Sequence, residues 1–308
     1  MKCLVIGGSG LLGCGIVDFL SKTNIDIVCF SYDEFPALPK HRNVKFVVGN
    51  VWDTELLKKS LENVDCVIDC ISTTMPSTNS VSLDDEIEKT LKYYNYILST
   101  IKDCNVKHYL FPSSGGAIYG NTTKEKSKES DELMAYTPYG VGKKMAEDIL
   151  KFYCMKYDIA VTILRIGNLY GSRQNREKMQ GAIDLIIQNG LDGKPFFLWN
   201  NAEESIRDYV FLEDVANAFY LCLLKYHDGG FRVFNVGTGI GTSLKNVIDV
   251  VEKELSKKIE IVYKQDSYQG VNKVVLDVEK IKECVGWEPK TTITEGIKKT
   301  ILLKEHIR

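Results

Sequence analysis

The sequence predicts an α/β fold, a Rossmann-type doubly wound parallel sheet with a smaller, interleaved α/β lobe. Three observations support this fold. Short apolar runs rich in β-branched residues alternate with longer segments of helical periodicity in the first half of the chain. A glycine-rich turn, Gly7-Gly8-Ser9-Gly10, follows the first run. After the run Ala160–Leu164 the alternation becomes less regular, and we expect the smaller lobe there.

Five runs in the first half are predicted as strands because they are almost continuously apolar, which is typical of a parallel sheet covered on both faces. They are Leu4–Ile6, Ile25–Phe30, Val44–Val48, Val67–Ile71 and Val106–Phe111. The predicted helices between them are Leu11–Ser21, Thr54–Leu61 with Asp53 as N-cap, and Leu83–Cys104 with Ser82 as N-cap. This order implies right-handed crossovers and a doubly wound sheet.

The second half contains a helix that begins near Pro138, followed by a strand at Ala160–Leu164. Later helices are predicted near Gly181–Asn189, Leu212–Lys225, Ser243–Leu255 and Ile293–Ile307, with strands at Phe196–Trp199, Arg232–Val236 and Ile259–Tyr263. We expect residues 1–167 and about 208–240 to form a dinucleotide-binding domain, and residues 168–207 and 241–308 to form the lobe that holds the substrate.

Composition excludes several classes of protein. The chain has 308 residues, 44% hydrophobic and 26% charged, which are ordinary globular values. Its formal charge of -2 gives no electrostatic case for binding nucleic acid or an anionic membrane. Nine scattered cysteines favour reduced thiols in a cytoplasmic protein, and the four histidines form no ligand cluster, so we predict no structural metal. No apolar run has membrane-spanning length, and the N-terminal run is too short for a signal peptide.

The glycines of Gly7-x-x-Gly10-x-x-Gly13 lie between a predicted strand and a predicted helix, which is the setting of a dinucleotide-binding turn. Glycines permit a tight turn and let backbone N–H groups approach a pyrophosphate at the helix N-terminus. The predicted cofactor contacts at this turn are Gly7, Gly10, Leu11, Leu12 and Gly13. An ordinary glycine-rich turn is the alternative.

The next two strand ends bear on which dinucleotide binds. Ser31 stands where a carboxylate normally holds the adenosine ribose, so NAD and NADP both remain open. Asp33 and Glu34 would repel a 2′-phosphate, which favours NAD. After the third strand, Asn50 and Val51 offer an amide oxygen and a backbone N–H to the adenine; for Asn50 a plain turn is the alternative.

The chemistry is predicted at Tyr139 and Lys143, which lie one helical turn apart on one face. A free tyrosine has a pKa of about 10, and both a lysine ammonium and a positive nicotinamide ring favour the phenolate that can act as a base. Two surface residues at helical spacing are the alternative. Ser114, at the end of the fifth strand, can hydrogen-bond the same substrate oxygen as Tyr139, although serines are also common in turns.

At these residues the chain resembles the extended short-chain dehydrogenase/reductases, specifically the NAD-dependent epimerase/dehydratase group that acts on nucleotide sugars. The resemblance covers nearly the whole chain. Besides the glycine turn, the Ser114 strand end and the Tyr139/Lys143 pair, it includes Leu164–Gly171, Arg207-Asp208-Tyr209-Val210, Asn235–Gly239 and Gly286-Trp287-Glu288-Pro289.

The resemblance implies roles for further residues. Cys70 and Ser72, at the end of the fourth strand, would contact the cofactor. Asn168 would contact the substrate's phosphates, and Arg207 would clamp the pyrophosphate through its fork of donors. Trp199 would lie near the nucleotide base, with a core residue of a short strand as the alternative. The helices around Leu83–Cys104 and Pro138–Lys156 would form a four-helix homodimer interface.

The chain also departs from the family pattern. Gly115 occupies the usual hydroxyl position, which leaves Ser114 one place early. Gly115 and Gly116 lack the acidic pair of the dehydratases, so 4,6-dehydration is disfavoured. Ser267-Tyr268-Gln269-Gly270 stands where an Arg-x-x-Asp anchor is expected, so the resemblance does not assign UDP. Val274, where relatives often gate the sugar pocket, is small enough to leave room for an N-acetyl group.

Together these features predict an NAD-dependent nucleotide-sugar 4-epimerase that converts a UDP-hexose or UDP-N-acetylhexosamine through a transient 4-keto sugar. A reductase or dehydrogenase that works at C4 of a nucleotide sugar with NAD(P) is the alternative, because the same three side chains serve it. A non-catalytic dinucleotide-binding sensor is a third possibility, which the presence of both Tyr139 and Lys143 disfavours.

Overall fold

The computed structural model describes residues 1–33, 41–74, 81–171, 181–226, 228–267 and 270–306. Its strands are β1 (Lys2–Ile6), β2 (Asp26–Ser31), β3 (Val44–Val48), β4 (Cys66–Asp69), β5 (His108–Ser114), β6 (Ala160–Ile166), β7 (Asn168–Tyr170), β8 (Phe196–Asn200), β9 (Ile206–Phe211), β10 (Phe231–Val236), β11 (Gly241–Ser243), β12 (Ile261–Ser267) and β13 (Lys273–Val274). Its α-helices are α1 (Leu11–Leu20), α2 (Thr54–Ser60), α3 (Leu83–Ile101), α4 (Gly115–Ile118), α5 (Pro138–Tyr157), α6 (Ala182–Asp192), α7 (Leu212–Lys225), α8 (Leu244–Leu255), α9 (Glu279–Val285) and α10 (Ile293–His306).

A seven-stranded sheet in the order β10-β6-β5-β4-β1-β2-β3 forms the centre of the fold. All of its neighbouring strands pair in parallel. The chain runs outward from β1 to β3 and then crosses over to β4, so the strand order reverses between β1 and β4. In a doubly wound sheet a ligand binds in the crevice at the carboxyl ends of such strands. The predicted Rossmann-type sheet is therefore confirmed.

Helices cover both faces of this sheet, as continuous apolar strands require. On β1, Val5 faces the core beneath α1 and α7, whereas Leu4 and Ile6 face the core beneath α2, α3 and α5. The predicted N-caps are also confirmed. Asp53 accepts from the Leu56 N–H of α2, and Ser82 accepts from the Asp85 N–H of α3.

A smaller sheet, β11-β9-β13 with β7 beside β9, lies outside the central sheet, and β8 pairs with β12. Strand β9 was not predicted, because Arg207 and Asp208 interrupt its apolar run. Both are buried, and the Asp208 carboxylate accepts from the backbone N–H groups of Thr238, Gly239 and Leu276. A strand that looks polar in sequence is thus buried because distant segments satisfy its charges.

Trp287, in the Gly286-Trp287-Glu288-Pro289 motif, packs in the core of the fold. Trp287 is 1% exposed, and its indole N–H donates to the carbonyl of Asp214 in α7 at 2.9 Å.

The remaining predicted helices and strands are confirmed with ends that differ by a few residues, whereas β7, β11, β13, α4 and α9 were not predicted. The predicted end of the last helix at Ile307, together with Glu34, Tyr268 and Gln269, lies outside the described residues. The division into two domains stays a prediction.

None of the helices in the described ranges is both long enough and apolar enough to span a membrane.

Candidate active site

The glycine turn between β1 and α1 has the shape that a dinucleotide pyrophosphate requires. Gly7 has φ +76°, a left-handed conformation that favours glycine, and the Gly10 N–H donates to its carbonyl at 3.0 Å. A Cβ on Gly13 would lie only 2.3 Å from the same carbonyl oxygen. Gly10 has no side chain to cap α1, and Leu11 and Leu12 at the helix start are partly exposed. These residues therefore fit a phosphate group at the helix N-terminus.

The other predicted cofactor residues lie at the carboxyl ends of neighbouring strands. Ser31 ends β2, is 6% exposed, and its hydroxyl donates to the Asp33 carbonyl at 2.9 Å. Asn50 is exposed, and its Oδ1 atom accepts from the Trp52 N–H at 3.1 Å, so it stabilises its own turn. The carbonyl of Val51 accepts from the Tyr96 hydroxyl. The contact of Asn50 with the adenine stays a prediction.

Cys70 and Ser72 follow β4, directly beside the glycine turn. A Cβ on Gly7 would lie 3.2 Å from the backbone carbon of Cys70, so the two segments are in contact. Burial raises the pKa of the Cys70 thiol well above its usual range, which leaves it neutral. Ser72 is exposed, and its hydroxyl donates to the Thr74 carbonyl at 2.5 Å.

Tyr139 and Lys143 lie in the first two turns of α5. Thr137 caps this helix by accepting from the Gly140 N–H, and Pro138 occupies its first turn. The Lys143 Nζ atom donates to the Pro112 carbonyl at 3.0 Å and lies 5.8 Å from the centre of the Tyr139 ring. Lys143 is only 8% exposed, so the two residues are not a solvated surface pair.

Burial shifts the pKa values of Tyr139 and Lys143 away from the phenolate and ammonium that the sequence predicts. Burial raises the pKa of Tyr139 to about 12, although a hydrogen bond with Ser114 lowers it in part. Burial also lowers the pKa of Lys143 to about 8. Desolvation penalises both charged forms, so Lys143 alone does not produce the expected phenolate. The positive nicotinamide ring would have to supply the rest of the stabilisation.

Ser113 and Ser114 end β5, and they have different hydrogen-bond partners. The Ser113 hydroxyl donates to Glu147 Oε1 at 2.5 Å, and Glu147 forms a buried ion pair with Arg165 at 2.7 Å. Ser113 therefore belongs to the ion pair, whereas Ser114 hydrogen-bonds Tyr139. The structure brings Ser114, Tyr139 and Lys143 together.

Asn168 adjoins this group at the end of β5. A Cβ on Gly116 would lie 3.1 Å from Asn168 Oδ1 and 4.0 Å from Ser114 Oγ. The glycine at this position therefore permits a polar side chain to approach the Ser114 hydroxyl. A substrate that reaches Ser114 would also reach Asn168.

Arg207 lies in a buried position, whereas Trp199 lies in an exposed one. Arg207 is 7% exposed, and its guanidinium donates to the backbone carbonyls of Ile206 and Val271. Trp199 is 37% exposed, and the Lys264 Nζ atom lies 4.2 Å from its ring centre. Trp199 is therefore not a core residue of β8, which was the alternative.

Val274 lies in a small apolar cluster of the core. It is 1% exposed and packs against Ile118, Tyr119 and Leu276. The expectation that its small side chain leaves room for an N-acetyl group stays a prediction.

Sequence reasoning missed two buried carboxylates beside Lys143. Asp69 accepts from the hydroxyls of Tyr93 and Tyr109, and Glu86, on α3, is 1% exposed. A lone aspartate inside an apolar strand was a visible signal for the first. Glu86 had no local signal, since its surroundings depend on how α3 packs against α5.

Comparison with known proteins agrees with this geometry. The chain is 28% identical to a dTDP-4-dehydro-6-deoxyglucose reductase of Escherichia coli, over 97% of this chain and 96% of the relative. It is 29% identical to a UDP-glucose 4-epimerase of Lactobacillus helveticus, over 94% and 92%. The structure of a Thermus thermophilus UDP-glucose 4-epimerase in complex with NAD matches with a TM-score of 0.84, 26% identity and 99% coverage of both chains.

A family-wide match includes both ends of the site. The sequence model of the NAD dependent epimerase/dehydratase family matches residues 3–237, a region that contains the glycine turn, Ser114, Tyr139 and Lys143. The protein therefore belongs to the NAD-dependent epimerase/dehydratase family, and NAD is its cofactor.

Proposed function

We propose that this protein is a nucleotide-sugar 4-epimerase that acts on a UDP-hexose or UDP-N-acetylhexosamine. The observation that carries the proposal is the group formed by Ser114, Tyr139 and the buried Lys143, next to a glycine turn that fits NAD. This group can move a proton on and off a sugar hydroxyl. The epimerase names of relatives that match over most of the chain support the same reaction.

Tyr139 has the central role in this mechanism. Bound NAD supplies a hydride acceptor that later returns the hydride. Tyr139 takes the proton of the sugar C4 hydroxyl, while Ser114 donates a hydrogen bond to the same oxygen. Lys143 holds positive charge 5.8 Å from the centre of the Tyr139 ring, and this charge would offset part of the burial that favours the neutral phenol. After the 4-keto sugar has rotated in the cleft, Tyr139 returns the proton to the opposite epimer.

The nucleotide part of the substrate would extend towards the smaller sheet. Asn168, beside Ser114, would contact the phosphates, and Arg207 would hold the pyrophosphate from β9. The exposed ring of Trp199 offers a stacking surface for the base, and the nearby Lys264 adds positive charge for the phosphates.

The test of this function is turnover without added cofactor. The purified protein, with its NAD retained, is incubated with UDP-glucose, UDP-galactose or either UDP-N-acetylhexosamine, and NMR identifies the sugar formed. We expect one pair to interconvert over many turnovers. Tyr139→Phe should lower kcat by about a hundredfold or more without loss of bound NAD, whereas the control Tyr136→Phe, at an exposed position, should not. No interconversion of any pair would refute the proposal.

A reductase acting at C4 of a nucleotide-linked keto sugar is the second candidate. Two observations favour it: the match to the Escherichia coli reductase, and Ser31 in place of a ribose-binding carboxylate. The same three side chains would then donate a proton to the reduced oxygen. A reductase consumes one NAD(P)H for each sugar, so absorbance of the reduced cofactor separates the two reactions.

We also propose that the protein is a homodimer through α3 and α5. These helices pack against each other and leave apolar side chains exposed, at Leu83, Ile87 and Leu91 on α3 and at Phe152 and Met155 on α5. A second copy would cover them and form a four-helix bundle. Light scattering should give twice the mass of one chain, and Leu91→Asp should give a monomer.

A further inference from the structure

A small polar cavity lies between α3 and the first turns of α5. It is lined by Thr73, Glu86, Thr90, Tyr139 and Lys143, among others, and its volume is about 10 Å³. That is the room of a single water molecule, and buried water is retained where polar groups surround it. Glu86 of α3 and Lys143 of α5 therefore border the same cavity.

Only one of the two carboxylate oxygens of Glu86 has hydrogen-bond partners among the described residues. Its Oε1 atom accepts from the hydroxyls of Thr90 at 3.1 Å and Thr73 at 3.3 Å. Its Oε2 atom is buried and has no hydrogen-bond partner among the described residues. A Cβ on Gly142 would lie 2.0 Å from Oε1, so the carboxylate reaches α5 only because this position is a glycine. A buried carboxylate oxygen without a partner is costly and calls for a donor.

We propose that Glu86 is a positioning residue that keeps Lys143 charged and in place, with one water molecule bridging Glu86 Oε2 and Lys143 Nζ. The inference rests on the proposed function, in which Lys143 serves as a cation beside Tyr139. Lys143 uses one N–H for the Pro112 carbonyl, and its ammonium carries three. A water in the cavity can accept a second of these and donate to Oε2.

The other acidic groups around Lys143 are already engaged. Asp69 accepts from Tyr93, Tyr109 and the Ile71 N–H, and Glu147 accepts from Ser113 and Arg165. The ionisable groups that face Lys143 from β4, α3 and α5 are Asp69, Cys70, Glu86, Tyr139 and Glu147. Among these carboxylates Glu86 alone lines the cavity and has an unpartnered oxygen in the described part of the chain.

The charge of Glu86 acts on the pKa of Lys143 in the direction that the proposal requires. Burial lowers the pKa of Lys143 to about 8, and the negative charge of Glu86 opposes that shift. The same charge raises the pKa of Tyr139, so it works against the phenolate directly. Loss of the charge would therefore have opposite consequences at the two residues, and a pH profile can tell which one governs the rate.

The first experiment compares Glu86→Gln with the wild-type holoenzyme over a range of pH. The matched control is Glu88→Gln, an exposed glutamate on the same helix. Loss of a nearby charge should lower the pKa of Lys143 by about one unit. We expect kcat/KM of Glu86→Gln to be about fivefold lower near pH 8 and almost unchanged near pH 6, because the basic limb moves down. Glu88→Gln should follow the wild type.

Two results of this comparison would overturn the inference. One is a basic limb that does not move, including a uniform loss of activity at every pH. The other is faster turnover by Glu86→Gln, which would mean that the charge acts mainly on Tyr139.

Two further measurements do not depend on activity. In the cofactor-free protein, the pH at which folding stability begins to rise should be about one unit lower in Glu86→Gln than in the wild type. A crystal structure of the wild-type protein should show a water bonded to both Glu86 Oε2 and Lys143 Nζ. A dry cavity or an unchanged stability profile overturns the inference. The crystal structure remains decisive if Glu86→Gln does not fold, and both measurements remain decisive if the proposed reaction is wrong.

Discussion

Replacement of Lys143 by methionine should remove a pH dependence from the folding stability of the cofactor-free protein. Burial lowers the pKa of the Lys143 ammonium to about 8 in the folded chain, against about 10.4 in an unfolded chain. Between these values the unfolded state binds more protons than the folded state, so the lysine makes stability rise as the pH rises. Methionine has a similar length and no proton to bind.

The size of the effect follows from the two pKa values. A shift of about 2.4 units is worth about 3 kcal/mol in favour of the neutral amine. About 2 kcal/mol of this falls between about pH 7 and about pH 9.5. The lost packing of the side-chain stem shifts the difference between the proteins equally at every pH. The contacts with the Pro112 carbonyl and the Phe111 ring favour the charged amine, so they act through the pKa of Lys143.

The assay is urea unfolding of wild type and Lys143→Met at several pH values, after removal of NAD. From about pH 7 to about pH 9.5, the free energy of unfolding of the wild type should rise by about 2 kcal/mol relative to that of the variant. Lys144→Met, at the exposed neighbouring lysine, is the control and should differ from the wild type by the same amount throughout. A constant difference for Lys143→Met would refute the argument that burial penalises this charge.

Three further predictions concern other parts of the fold. Glu147→Gln should lower the free energy of unfolding by about 3–5 kcal/mol, because it leaves the buried Arg165 without its partner; urea unfolding measures this, and a loss below about 1 kcal/mol contradicts it. Trp287→Ala should cost about 3–5 kcal/mol by opening a cavity under α7, and an unchanged melting temperature would be inconsistent with that packing. Gly13→Ala should lower the NAD content of the purified protein, because its Cβ would lie 2.3 Å from the Gly7 carbonyl; full NAD occupancy would show that the turn tolerates a side chain.

The elements that sequence reasoning predicted well have local causes. The bounds of Val44–Val48 and Leu212–Lys225 agree with the structure because an apolar pattern begins and ends at each. Strand β9 could not be predicted in this way. Its Arg207 and Asp208 break the pattern, and the groups that satisfy Asp208 come from residues far along the chain. A local window does not contain that information.

The same distinction applies to the site. Tyr139 and Lys143 share one helix, so their spacing in the sequence is enough to bring them together. The surroundings that set their pKa values come from β4, β5 and α3, and the desolvation of the pair was therefore missed. Glu86 went unnoticed for the same reason, and the buried position of Val274 could not be read from its size alone.

The order of strands in the central sheet has a consequence for synthesis. All seven residues of β6 are buried, and the strand lies between β5 and β10. A nascent chain completes β6 at Ile166, but β10 begins only at Phe231. Until then one row of backbone N–H and C=O groups on an apolar strand has no neighbour, which is a template for aggregation. Fragments that stop short of β10 should therefore aggregate, and the growing polypeptide would benefit from a chaperone at this stage.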